Sequence, residues 1–281
     1  MPTIRMLAMD LDGTLVQGED AIRPRTFEAL LRAHEAGIQL AIATGRRWRR
    51  TRPVVLRLGL PVPAVVLGGA LVKDGAGATV HANAFERAEF ALVAGLLAER
   101  GQTAVAQRDG ADGTPDFLID GSLPWDGWSR RYWERNREHA AWTRRLADEA
   151  RDDVLVVGSF GPRELLLGLC GELERAAPGR FAPVVTPLPA DSGGGHYLEV
   201  VPHHVSKWEG LRQLAEHAGV PPHAICAVGD ERNDLPMLKG AALGVAMGNA
   251  PPDVKGAADW VTGPAAEDGL VAVVERILQG G

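Results

Sequence analysis

Ile4-Arg5-Met6-Leu7-Ala8-Met9-Asp10-Leu11-Asp12-Gly13-Thr14-Leu15 opens the chain with a short apolar run that stops at a carboxylate. Gly13 and Thr14 then break the strand pattern. The same grammar recurs on either side. A helix is predicted over Pro24–Ala36, with proline at its start and Gly37 just past its end. Phe27, Leu30, Leu31 and His34 recur at helical spacing, so they read as one face, with His34 a surface or boundary residue. A second apolar run, Ile38–Ala43, ends at Thr44-Gly45-Arg46, and a third, Ala64–Leu67, ends at Gly68-Gly69. From residue 196 the alternation returns. Tyr197–Val201 and Ile225–Val228 read as strands, the latter ending at Gly229-Asp230, and a helix begins near Asp234 and runs to Lys239. Gly244–Ala246 ends at Met247-Gly248-Asn249, and Pro251–Ala257 is helical. Strand–helix alternation of this kind predicts a parallel sheet covered on both faces, a Rossmann-like α/β core over residues 1–82 and 196–281. Ligands of such sheets sit at the carboxyl ends of the strands, where Asp10, Thr44, Gly68 and Asp230 all fall.

Residues 83–195 differ in character. They hold Trp125, Trp128, Trp133 and Trp142, four of the seven tryptophans, and loop-like patches at Asp109–Pro115 and Pro187–Gly195. Helical patterns at Arg87–Arg100, Gly127–His139 and Arg163–Ala176 alternate with strand-like runs at Phe117–Ile119 and Val154–Val157. This is the expected appearance of a smaller α/β domain inserted into the larger one, with Gly193-Gly194-Gly195 and His81–Ala84 as hinges. Trp125, Trp128 and Tyr132 stand at i, i+3 and i+7, which favours a packing stripe over a ring-stacking site.

A formal net charge of -6 over 281 residues argues against generic nucleic-acid binding. The arginines at 46, 47, 49, 50 and 52 read first as a solvated helix face. No apolar run is long enough to span a membrane, and no signal-like layout opens the chain. Cys170 and Cys226 match no metal or redox spacing and read as core thiols. The expectation is a cytoplasmic protein, monomer or homodimer, without nucleic-acid or membrane partners.

A carboxylate at a strand end can act as a nucleophile, and a second one two residues on can serve as general acid and base. An Asp-Gly turn after a strand is also a common structural device, and the Asp10/Asp12 spacing alone does not exceed it. Three further elements do. Thr44, at another strand exit, can donate its hydroxyl to a phosphoryl oxygen. Gly229-Asp230-Glu231-Arg232-Asn233-Asp234 surrounds a strand-to-helix turn with hard oxygen donors suited to magnesium, where helix capping would require only one or two of them. Lys207 is one of four lysines against 26 arginines, a compact ammonium at a helix start where a cation opposes the helix dipole.

The order Asp-x-Asp-Gly-Thr, Thr-Gly-Arg, Lys, Gly-Asp-x-x-Asn-Asp resembles the four motifs of the haloacid-dehalogenase superfamily. The closing run from Met247 to Lys255, with Glu267-Asp268-Gly269 later, is similar to its Cof-type branch, as is the position of the insert. The resemblance implies a phosphatase of small phosphorylated metabolites, sugar or polyol phosphates by default. It implies Asp10 as nucleophile and Mg2+ ligand, and Asp12 as general acid/base and, through its carbonyl, a second ligand. Asp230 would be the third ligand; Thr44, Gly45, Arg46, Lys207 and Asn233 would bind substrate, with Asn233 and Asp234 positioning the metal and Lys207. Two departures bear on specificity: Gly68-Gly69-Ala70 stands where the branch often shows Asn-Gly-Ala, and Trp208 follows Lys207 where glycine is common. The alternatives are a phosphomutase-like transferase on the same core and a non-catalytic ligand-binding protein.

Overall fold

The computed structural model describes residues 3–18, 20–110, 113–122, 127–188 and 195–280. They form two compact units, one from residues 1–82 with 206–281 and one from 83–205. Trp125, Gly193 and Gly194 lie outside the described residues.

The first unit contains β1 (Met6–Met9), α1 (Pro24–Glu35), β2 (Gln39–Ala43), α2 (Trp48–Leu58), β3 (Ala64–Val66), β4 (Leu71–Lys73) and β5 (Thr79–Ala82). The second contributes α3 (Arg87–Glu99), β6 (Val105–Arg108), β7 (Phe117–Asp120), α4 (Gly127–Asn136), β8 (Ala140–Thr143), β9 (Val154–Gly161), α5 (Arg163–Ala176), β10 (Phe181–Pro187) and β11 (His196–Pro202). The chain then completes the first unit with α6 (Lys207–His217), β12 (Ile225–Gly229), α7 (Leu235–Gly240), β13 (Leu243–Ala246), α8 (Pro252–Lys255), β14 (Trp260–Val261) and α9 (Gly269–Gln279).

In the first unit the strands are ordered β14-β13-β12-β1-β2-β3-β4-β5. Those from β14 to β3 run parallel, and β4 and β5 finish the sheet as an antiparallel hairpin. Every residue of β1 is buried, as the unbroken apolar run of a central parallel strand requires. Met6 and Ala8 face a cluster with Leu211 and Leu214 of α6 and Met237 and Leu238 of α7. On the other face α1 and α9 pack together. The buried stripe of α1 is Thr26, Ala29, Leu30 and Ala33, one position round from the predicted face; Phe27 and Leu31 are half-buried at its edge and His34 is exposed. Asp268 explains that rotation in part. It accepts from Arg23 Nε (2.7 Å) and Thr26 Oγ1 (3.1 Å), tying the approach to α9 to the first turn of α1. Those donors hold its carboxyl below the usual range.

The second unit has its own sheet, ordered β10-β11-β9-β6-β7-β8 and antiparallel except for β7 with β8. Phe90, Val93 and Leu97 of α3 and Leu166, Leu169 and Leu173 of α5 close one face. On the other, Tyr132 of α4 meets Phe117 edge-on at 5.5 Å and lies 4.8 Å from Phe160, so it packs as a core residue. Residues 196–205, read from sequence as part of the first unit, belong by pairing to the second: β11 sits between β9 and β10. The strand exit that precedes Lys207 is therefore not an exit of the parallel sheet. Among the described residues no helix is long and apolar enough to cross a membrane.

Candidate active site

The chain order around β1 positions the site. From β1 the sheet grows one way through β2 and β3 and the other way through β12, β13 and β14, so the direction of winding switches between β1 and β12. Three adjacent strands end there in polar residues: Asp10 after β1, Thr44 after β2 and Asp230 after β12. The ladder continues one residue beyond the strands, with Asp10 N donating to Val228 O and Thr44 N to Val65 O, both at 2.8 Å. These side chains thus start from rigid backbone.

Lys207 arrives from a different part of the chain, as the first residue of α6. Ser206 caps that helix by accepting from Glu209 N at 3.1 Å. Gly69 fixes where the cap sits: its φ is +114°, and a Cβ there would stand 1.9 Å from Ser206 O. The Lys207 ammonium donates to Asp10 Oδ1 and Asp234 Oδ1, each at 2.7 Å. Lys207, Asp10 and Asp234 are 2%, 4% and 0% exposed. Burial alone would push the lysine down, but Asp10 and Asp234 more than offset it and hold it charged. Asp10 is raised to about 7, chiefly by burial and against the pull of Lys207.

Asp230 rests in a cradle. Its Oδ1 accepts from Thr14 Oγ1 at 2.9 Å and its Oδ2 from Asn249 Nδ2 at 3.0 Å. Gly13, with φ +78°, must be glycine for a second reason: a Cβ there would lie 2.2 Å from Asp230 Oδ2. Burial, ahead of the nearby Asp234 and Glu231 charges, raises Asp230 to about 6 despite the Thr14 bond. Carboxylate oxygens of Asp10, Asp230 and Asp234 come within 4.8 Å of one another. Asp234 is the most fully engaged, since its Oδ2 also accepts from Asp230 N and Glu231 N, both at 2.9 Å. Two carboxylates whose burial leaves their charge under-compensated, each oxygen retaining a lone pair, fit a divalent cation; Asp234 fits better as the anchor of Lys207.

Asp12 points elsewhere. Its side chain is 60% exposed and meets Arg46 through two parallel bonds, Arg46 Nε donating to Oδ2 at 2.7 Å and Nη2 to Oδ1. A third guanidinium nitrogen, Nη1, lies 2.7 Å from Asp20 Oδ1. Arg46, expected from sequence as a substrate contact, is thus committed to Asp12 and Asp20. Asp20 belongs to no motif, and nothing in its sequence context marks it. Thr44 Oγ1 accepts from Arg46 N at 3.1 Å, which leaves the hydroxyl proton available to a ligand.

Asp10, Asp12, Thr44, Gly45, Arg46, Lys207 and Asn233 line one cavity of 280 Å³ together with Glu231. Seven of the expected residues therefore share a wall, and Asp230, not among the lining residues, joins Asp10 in the carboxylate cluster. Glu231 was visible in its motif but carried no assigned role; it also caps the turn that follows. The two departures from the branch pattern resolve structurally. Gly68 has φ +62° with open space around it, a position asparagine also tolerates, so the turn keeps its shape while the amide is absent. Trp208 packs into the α6–α7 core cluster against Gly240, where a Cβ would lie 2.2 Å from its ring. His203 and His204 are exposed, on the turn that ends the second unit.

The family model described as haloacid dehalogenase-like hydrolase matches residues 7–274. The chain is 26% identical to the Phosphatase YwpJ of Bacillus subtilis, over 98% of this chain and 100% of that one. It is 28% identical to the Pyridoxal phosphate phosphatase YbhA of Escherichia coli, over 97% and 98%. A haloacid dehalogenase-like hydrolase from Bacteroides thetaiotaomicron superposes with a TM-score of 0.76 at 26% identity, covering 98% of this chain and 99% of that one. With the motifs at the strand exits and the match running almost end to end, this chain belongs to the haloacid dehalogenase-like hydrolases, in their Cof-type branch.

Proposed function

We propose that the protein is a phosphatase that hydrolyses a small phosphate monoester through an aspartyl-phosphate on Asp10. The observation that carries the reading is the convergence, on one small cavity, of a carboxylate paired with a buried ammonium, a second exposed carboxylate and a free hydroxyl donor. An Asp10 oxygen attacks phosphorus as the ester P–O bond breaks, and Asp12 gives its proton to the departing alcohol oxygen. In the second half Asp12 takes a proton from water, whose oxygen attacks the same phosphorus; the P–O bond to Asp10 breaks and phosphate leaves. Lys207 and the Thr44 hydroxyl neutralise and orient the phosphoryl oxygens, and Asn233 lines their approach. Arg46 holds Asp12 in one orientation through its two parallel bonds. Asp10, the Asp12 carbonyl and Asp230 would hold Mg2+, which when bound supplies neutralisation of phosphoryl charge.

Sugar and polyol phosphates are the default substrates for the resemblance, and the relative acting on pyridoxal phosphate widens the class to phosphorylated ring alcohols. The setting this reading favours is cytoplasmic, on water-soluble metabolites. The test is phosphate release from a panel containing a hexose phosphate, pyridoxal phosphate and p-nitrophenyl phosphate, with Mg2+ and with chelator. Turnover that requires the cation and disappears in Asp10→Asn is expected. A folded protein that turns over none of the three overturns the proposal.

A further inference from the structure

Asn249 follows β13 and is not among the residues that line the cavity, yet one side chain joins three separate loops. Its Nδ2 donates to Gly13 O and to Asp230 Oδ2, both at 3.0 Å, and its Oδ1 accepts from Ala265 N, also at 3.0 Å. Each polar atom of the amide is therefore used in a definite direction, which fixes which end of the group faces Asp230. Gly13 closes the turn that carries Asp12, Asp230 follows β12, and Ala265 begins the turn before α9. The backbone around Asn249 is itself held in place. Met247 N donates to Gly229 O at 2.9 Å, Gly248 N to Gly263 O at 3.0 Å, and a Cβ on Gly248 would stand 2.5 Å from Pro264 N.

We propose that Asn249 is a positioning residue, acting through Asp230: it orients that carboxylate, and the Gly13 turn beside it, for a divalent cation. This rests on Asp230 being a cation ligand, as proposed above. With Thr14 bonding one oxygen and Asn249 the other, rotation of the Asp230 carboxylate about its Cβ–Cγ bond is blocked from both sides. A carboxylate that cannot rotate meets the cation without loss of torsional freedom. Removal of such an outer partner typically lowers metal affinity about 10–100-fold. The acceptor at Ala265 N makes the requirement specific to an amide. A carboxylate at 249 could accept from Ala265 but would face Asp230 Oδ2 with like charge. A serine would keep a donor and not reach both loops.

The test measures Mn2+ binding directly, by calorimetric titration of the full-length protein without substrate, in wild type, Asn249→Ala, Asn249→Asp, Asn249→Ser and Asp230→Ala. Circular dichroism melting in chelator is recorded for each. The expected result is an affinity lowered about 10-fold or more in Asn249→Ala, further in Asn249→Asp, and lost in Asp230→Ala. The melting profile in chelator separates this from a merely structural role, which would lower the melting temperature and leave the affinity of the folded protein unchanged. Wild-type affinity in a folded Asn249→Ala protein, with binding lost in Asp230→Ala, overturns this inference and leaves the metal site standing. Wild-type affinity in Asp230→Ala overturns both. Should Asn249→Ala fail to fold, Asn249→Ser decides by the same criterion.

Discussion

Lys207 is where the energetics of single residues are most exposed. A 2% exposed ammonium between two buried carboxylates is tolerated only because all three charges are paired. Lys207→Met should therefore destabilise the fold by about 3–5 kcal/mol, the usual cost of leaving buried charges uncompensated, read as a lower urea midpoint. Asp10→Asn should behave in the opposite sense. Burial already opposes ionisation of Asp10, so the amide should leave stability unchanged or higher while turnover falls roughly 10³-fold. A parallel loss of stability and activity would make Asp10 a structural residue. Asp12, held by Arg46 at the cavity mouth, belongs to the leaving group. Asp12→Ala should cost an alkyl phosphate about 10²–10⁴ in rate and an activated aryl ester much less; equal losses on both would count against an acid role.

At the scale of elements, function depends on backbone that few residues can adopt. Gly69→Ala would place a methyl 1.9 Å from Ser206 O at φ +114°, so the cap of α6 must move and Lys207 with it. A loss of about 1–3 kcal/mol is expected, with kcat falling before the protein unfolds; wild-type kcat would show that α6 tolerates the shift. In the second unit, Glu199 lies in β11 between Val184 of β10 and Gly158 of β9, and its side chain is only partly exposed. Burial raises its carboxyl to about 7. The folded form therefore holds the proton more tightly than the unfolded chain. Stability present below about pH 4.5 is lost as pH rises through 7, by something on the order of 2 kcal/mol after allowance for partial exposure. Glu199→Gln should flatten that slope between pH 5 and 8 in urea titrations; an unchanged slope would assign it to other groups.

Across the whole molecule, the two units have separate cores and separate sheets. Among the described residues, those lining the cavity and those of the carboxylate cluster lie in the first. Two cores of this kind need not unfold together. Calorimetric unfolding is expected to exceed the van't Hoff enthalpy, and Mg2+ should raise only the transition of the first unit. A single two-state transition that moves as a whole with the cation would show the units to be one cooperative body.

Asp10, Thr44 and Asp230 were legible in the sequence because each ends an unbroken apolar run, and a buried parallel strand writes that pattern without help from its neighbours. The edges were not. The sequence marks no element over residues 181–186 and a loop-like patch from Pro187; with Pro183 and Pro187, β10 is an edge strand, where a missing N–H faces no partner. β11 carries an ordinary strand pattern that any sheet could accept; only its register against β9 and β10 assigned it to the second unit. The commitment of Arg46 to Asp12 and Asp20, and the reach of Asn249 to Gly13, Asp230 and Ala265, were likewise decided in three dimensions. Local pattern records what a segment buries, and so it determined the strands and the nucleophile candidate. Which polar groups satisfy one another depends on loops brought together from more than 200 residues apart, as Asn249 and Gly13 are, and only the folded chain brings them into contact.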